Sequence, residues 1–168
     1  LDDIKQALAL NSSDPSAMQL DGDILMKLGN TEDAIAVYKK ILNRDPDNRF
    51  ALTSLGYASR AAGHDKDAEK YFERLAQADP SLYVAYLALG DLYTARRDFA
   101  KAQVAYGEGY EHAPQNALII AGGMNAAIEE HNLSVAKTWL TRATSDMNNE
   151  PQLLREKERY LSFAGQYQ

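Results

Sequence analysis

The chain has 168 residues, 45% of them hydrophobic and 25% charged, with a formal net charge of −6 and no cysteine. That length suits one ordinary core or one elongated array, and the missing cysteines exclude a disulfide framework, a thiolate zinc site and a thiol nucleophile. The acidic balance argues against nucleic acid, whose binders need a basic face for phosphate. No apolar run approaches the roughly 18 residues of a membrane span, so no membrane insertion is expected.

Residues 1–14 open on an apolar spacing of helical kind, without the basic start of a signal peptide. They read as the second helix of a preceding, truncated repeat, which makes the chain an expected fragment of a longer array. Asp14-Pro15 is a start signal, a cap residue followed by proline at the first helical position. From there pairs of helical stripes are split by the breaks "LGNTED", "AGHDKD", "RRDFAK" and "EHNLSV". In each, a Gly or polar residue ends one helix, and Asn30, His64, Asp98 or Asn132 starts the next. Asn and Asp there can accept from the unpaired N–H groups of the following turn. No stretch reads as a strand bounded by hairpin turns. The last predicted helix covers 151–164 and stops at a turn glycine, Gly165, with the charged "REKERYL" fitting a solvated cap.

The helices recur in register. Gly22, Gly56 and Gly90 stand 34 residues apart, as do Ala34, Ala68, Ala102 and Ala136. Tyr38, Phe72, Tyr106 and Leu140 form a third column, and Pro46, Pro80 and Pro114 a fourth. The units are therefore 15–48, 49–82, 83–116 and 117–150, with 151–168 the first helix of a further repeat or a capping helix.

This pattern resembles the tetratricopeptide repeat, W-x2-L-G-x2-Y…A-x3-F…P over 34 residues. Leu55-Gly56, Leu89-Gly90, Tyr93, Ala68, Ala102, Phe72 and Tyr106 carry the likeness, which covers the whole chain. It departs where Leu52, Tyr86 and Ile120 replace the Trp and where Arg97 and His131 replace turn glycines seen at Gly29 and Gly63. It departs again at Met124, in the glycine column, preceded by Gly122-Gly123. Two helical glycines cost about 1 kcal/mol each relative to Ala, so the fourth unit is expected to be the softest. Close helix packing is the plain reading of that pair, a hinge or ligand contact the other. In each unit the column glycine is expected to face the alanine where two helices cross, with the aromatic filling the wedge beside them.

The resemblance implies an all-α, right-handed superhelical solenoid of antiparallel helix pairs, whose first helices line a concave groove for peptides or protein segments. Residues matching groove slots are Asp23, Phe50, Tyr57, Arg60, Val84, Leu87, Asp91, Leu118, Asn125, Arg155 and Arg159. Apolar anchors of a partner would bury against Phe50, Tyr57, Leu87 and Leu118, with Asp23, Asp91 and Glu129 favouring basic flanks. The same apolar residues also suit packing between repeats. Arg155 and Arg159 form a basic pair able to hold a carboxylate or phosphate, or simply to solvate the last helix. The family's two-carboxylate clamp for chaperone tails is absent, its slots holding Gln19 and Asp23, Tyr57, and Leu87 and Asp91.

Chemistry finds no foothold. His64, His112 and His131 lie in different places along the repeats, and no zinc-protease, phosphate-loop, nucleophile-elbow or dinucleotide fingerprint is present. No enzyme activity and no cofactor are expected, and stacking of the ten Tyr on RNA is disfavoured by the acidic charge. The expected function is a protein–protein interaction scaffold. The alternatives are a homo-oligomer or multi-subunit scaffold joined through repeat ends, or a regulatory segment of a larger enzyme or secretion machine. Nothing in the sequence addresses the chain to a compartment.

Overall fold

A computed structural model describes residues 14–147 and 149–166, in two compact units that meet in sequence at Asp79 and Pro80. In the first unit, α1 (Pro15–Lys27), α2 (Thr31–Arg44), α3 (Arg49–Ala61) and α4 (Asp65–Ala78) each pack on the next in the chain. The second holds α5 (Tyr83–Ala95), α6 (Phe99–His112), α7 (Ala117–Glu129), α8 (Leu133–Thr141), a 3-10 turn (Ser145–Met147) and α9 (Pro151–Gln166). There α5 and α6, α6 and α7, and α7 and α8 are packed neighbours, and α9 lies on α7 and α8. No strand occurs among the described residues.

Local chemistry sets the helix starts. Asp14 caps α1 by accepting from Ala17 N–H at 3.3 Å, with Pro15 at the first position. Asp98 and Asn132 accept from Lys101 and Val135 N–H. Asn30 and His64 stand at the starts of α2 and α4 but make no side-chain cap. Two caps beyond the expected ones serve α3 and α7: Asn48 on Ala51 N–H, and Asn116 on Leu118 and Ile119 N–H.

Each turn inside a helix pair has one residue in left-handed backbone: Gly29 at φ 78°, Gly63 at 76°, and Arg97 and His131 both at 61°. The departures from glycine at the last two thus keep the turn's geometry and carry the strain of a Cβ there. Two boundaries differ from expectation. Helix α8 stops at Thr141, where Thr141, Thr144, Ser145 and Asp146 are poor helix formers. Gly165, expected as a turn, lies inside α9.

The nearest neighbours of the column glycines are the aromatic rings. A Cβ on Gly22, Gly56 or Gly90 would sit 2.6 Å from Cζ of Tyr38, Phe72 or Tyr106. The alanine column, Ala34, Ala68, Ala102 and Ala136, is fully buried nearby in sequence. In the fourth pair the ring is Trp139 and not Leu140, and Gly123 takes the glycine's place beneath it, with a Cβ 2.5 Å from Cδ2. Gly122 lies under Tyr106 in the same way. The pair is close packing, shifted by one residue against the 34-residue column. Leu52, Leu55, Phe72 and Leu75 fill the first core and Tyr106, Ile119, Ile120, Met124 and Leu153 the second, all without exposed surface. Each contributes about 1.5–3 kcal/mol by burial.

Candidate functional site: the first-helix faces

In the first unit, α1 and α3 bound an open cleft of about 400 Å³ lined by Leu20, Asp23, Ile24, Met26, Lys27, Tyr38, Ser54 and Tyr57. Leu20 is 52% and Tyr57 42% exposed, high values for large apolar surface on helices this well packed. Tyr57 is held upright by an edge-on contact with Phe72, ring centres 5.2 Å apart. At the base of the cleft the Tyr38 hydroxyl donates to Asp23 Oδ1 at 2.8 Å. Burial, and then the hydrogen bond and charge of Asp23, push that hydroxyl's pKa up, so it stays protonated and donating. Of the expected groove residues here, Asp23 and Tyr57 share the cleft. Phe50 is half-buried and turned edge-on to Tyr38 at 5.9 Å, and Arg60, also half-buried, lies outside the lining.

In the second unit Asp91 on α5 repeats the arrangement, accepting from the Tyr106 hydroxyl at 2.7 Å. Val84 and Leu87 lie half-buried on the same helix. Leu118 is 39% exposed and borders a separate, more polar cleft of about 280 Å³ with Thr144, Asp146, Met147 and Glu150. Arg155 and Arg159 converge on a carboxylate, Glu156, that is only 1% exposed, and Asn125 accepts from Arg159 beside it. Arg159 donates at 2.6 Å to Asn125, Glu156 and Glu129, and Arg155 Nε donates to Glu156 at 2.9 Å. Burial works against the Arg159 charge, but Glu129 and Glu156 outweigh it and raise its pKa. The network fastens α9 to α7, so Arg159 and Glu129 are engaged with each other.

Sequence reasoning missed Leu20, Ile24, Met26 and Ser54. One signal was present for Leu20: its repeat slot holds Ser54, Ala88 and Gly122 in the later units, so a large apolar side chain there stands out.

Helix pairs stacked by a repeated glycine-under-ring contact define an all-α solenoid, a class whose exposed helix faces are surfaces for other molecules. Residues 1–49 and 20–83 match the family profile described as tetratricopeptide repeat, and the chain belongs to that family. The bovine (Bos taurus) BBSome complex member BBS4 is 32% identical over 105 residues, covering 62% of this chain and 20% of that protein. The CTR9 homolog of Arabidopsis thaliana is 26% identical over 115 residues, 65% of this chain and 10% of that protein. The chain thus spans at most a fifth of the length of these relatives. A solved tetratricopeptide repeat protein from Parabacteroides merdae superposes with a TM-score of 0.79 at 16% identity, over 96% of this chain and 64% of that one, a likeness of fold. Among the described residues no helix is long and apolar enough to cross a membrane.

Proposed function

We propose that the chain is a non-catalytic protein–protein interaction scaffold that holds a segment of another protein against its first helices. The observation that carries this reading is the α1–α3 cleft, where Leu20, Ile24, Met26 and Tyr57 offer apolar walls around one oriented carboxylate. Well-packed pockets with an aromatic wall are where interface energy concentrates. The tetratricopeptide family and a relative described as a complex member support it. The test is selection of displayed 12-residue peptides on the intact chain, with folded Leu20→Asp/Tyr57→Asp as the counter-selection. Peptides retained by the parent and lost by the variant are expected. Equal enrichment on both proteins removes the cleft from the function.

A second reading, self-association through the last helix, is favoured by Leu154 and Leu161, 41% and 64% exposed on the outer side of α9. Light scattering of Leu154→Asp/Leu161→Asp checks it: mass that rises with concentration in the parent and not in the variant is expected.

A further inference from the structure

We infer that the α1–α3 cleft takes a basic side chain of the partner segment, lysine or arginine, with its aliphatic stem against Leu20, Ile24 and Tyr57 and its cation on Asp23. The inference rests on the cleft being a partner site and adds what that site selects. Most of the wall is apolar, and among the described residues that line it Asp23 is the one carboxylate. A long cationic side chain has that same division, a hydrocarbon stem and a charged tip.

The carboxylate is built into place. The Tyr38 hydroxyl donates to Oδ1 at 2.8 Å from a ring that is itself 1% exposed and lies under Gly22. A fixed donor on one oxygen orients the other and leaves the group acceptor capacity. The second unit contains the same construction, Tyr106 donating to Asp91 at 2.7 Å from a ring under Gly90. Where the ring lacks a hydroxyl, at Phe72, the slot holds Tyr57 in place of a carboxylate. The hydroxyl of the column aromatic and the acid of the groove slot therefore occur together, a Tyr–Asp pair in two repeats and a Phe–Tyr pair between them. The acids expected in the groove consequently divide: Asp23 and Asp91 are posted by tyrosines, while Glu129 is paired with Arg159.

Lys27 lines the same cleft one turn along α1 from Asp23 and is exposed. A cation from the partner competes with it, which gives the inference a signed check. Removing the Lys27 charge strengthens binding of a basic segment, and removing the Asp23 charge weakens it.

The probes are fluorescein-labelled synthetic dodecapeptides in a Gly/Ser/Ala background. Each has one Leu, and at each neighbouring position in turn Lys, Arg, citrulline, norleucine or Glu. They are titrated against the intact chain by anisotropy at low salt. At one register Lys or Arg is expected to bind roughly two- to fivefold tighter than norleucine or citrulline, the scale of a half-exposed charge pair. Asp23→Asn is expected to abolish that preference and keep the need for Leu. Lys27→Met widens the preference, and Tyr38→Phe narrows it by loosening the carboxylate. Equal binding of Lys and norleucine probes, or a preference that survives in folded Asp23→Asn, overturns the inference and leaves the cleft as an apolar site. If no probe binds at all, the groove reading itself fails and the inference falls with it.

Discussion

Alanine at Gly56 tests the contact that organises every repeat. In a helix interior Gly→Ala gains about 1 kcal/mol from backbone entropy alone. At Gly56 the new methyl would lie 2.6 Å from Phe72 Cζ, whereas apolar carbons rest about 3.5–4.0 Å apart. Ring or helix must therefore move by about 1 Å, and Phe72 has no exposed surface into which to yield. Overpacking of this kind costs about 1–3 kcal/mol, and a ring closed in on all sides puts Gly56 at the top of that range. The expected net loss is about 2 kcal/mol, or roughly 4–8 °C in Tm for a chain of this size. Gly107 supplies the control: it is inside α6, and a Cβ added there would meet nothing within 4 Å, so Gly107→Ala should gain about 0.5–1 kcal/mol. Urea titrations followed by circular dichroism read both. Phe72→Leu beneath Gly56→Ala should recover part of the loss, a coupling between touching residues. A Gly56→Ala chain as stable as Gly107→Ala would refute the reasoning, because it would mean the helices can part freely at the crossing.

Arg97→Gly should raise stability by up to about 1 kcal/mol in the same titration, since it relieves a Cβ held at φ 61°, less the stacking of the guanidinium over Phe99 at 5.3 Å. Glu156→Ala should cost about 2 kcal/mol, the loss of charge-assisted hydrogen bonds from Arg155 and Arg159, and hydrogen exchange should rise first in α9. The Tyr38 hydroxyl has a folded pKa above its unfolded value near ~10. Its contribution is complete below that value and is lost as pH climbs through the folded one. The urea midpoint should therefore fall above about pH 10, less steeply in Tyr38→Phe.

The fold was legible because its physics repeats. A helix pair cannot bury its apolar face alone, so each unit meets the same neighbour and selects the same residue types at the same places. Gly22, Gly56 and Gly90 show that directly. The reading failed where one unit solved the problem differently. In the fourth pair Trp139 replaced the column's Leu140 and Gly123 moved with it, keeping the glycine-to-ring spacing of the other pairs while breaking the column. A period counts residues, whereas packing fixes the distance between a glycine and its ring, and the two part company when both members shift together. Arg97 and His131 are the converse case, in which the residue type changed and the left-handed turn stayed.

The groove was only partly legible, for a related reason. Slot arithmetic assigns Asp23, Tyr57, Asp91 and Asn125 to one column, yet their surroundings come from a later helix. Asp23 and Asp91 meet a hydroxyl, Tyr57 a bare ring and Asn125 the guanidinium of Arg159. The environment of each side chain in the column is thus decided by a residue about fifteen positions later, or thirty-four in the case of Arg159. Leu20 makes the same point from the other side. In its slot the later units have Ser54, Ala88 and Gly122, and the last of these lies directly under Tyr106. A leucine is too large for that role, so it stands out from α1 and becomes the wall of a cleft. In a repeat protein the columns report what every unit must do to stack, and the residues that break them mark where one unit does something else. Leu20 and Tyr57, both breaks in their columns, are therefore the pair on which the binding experiments should turn.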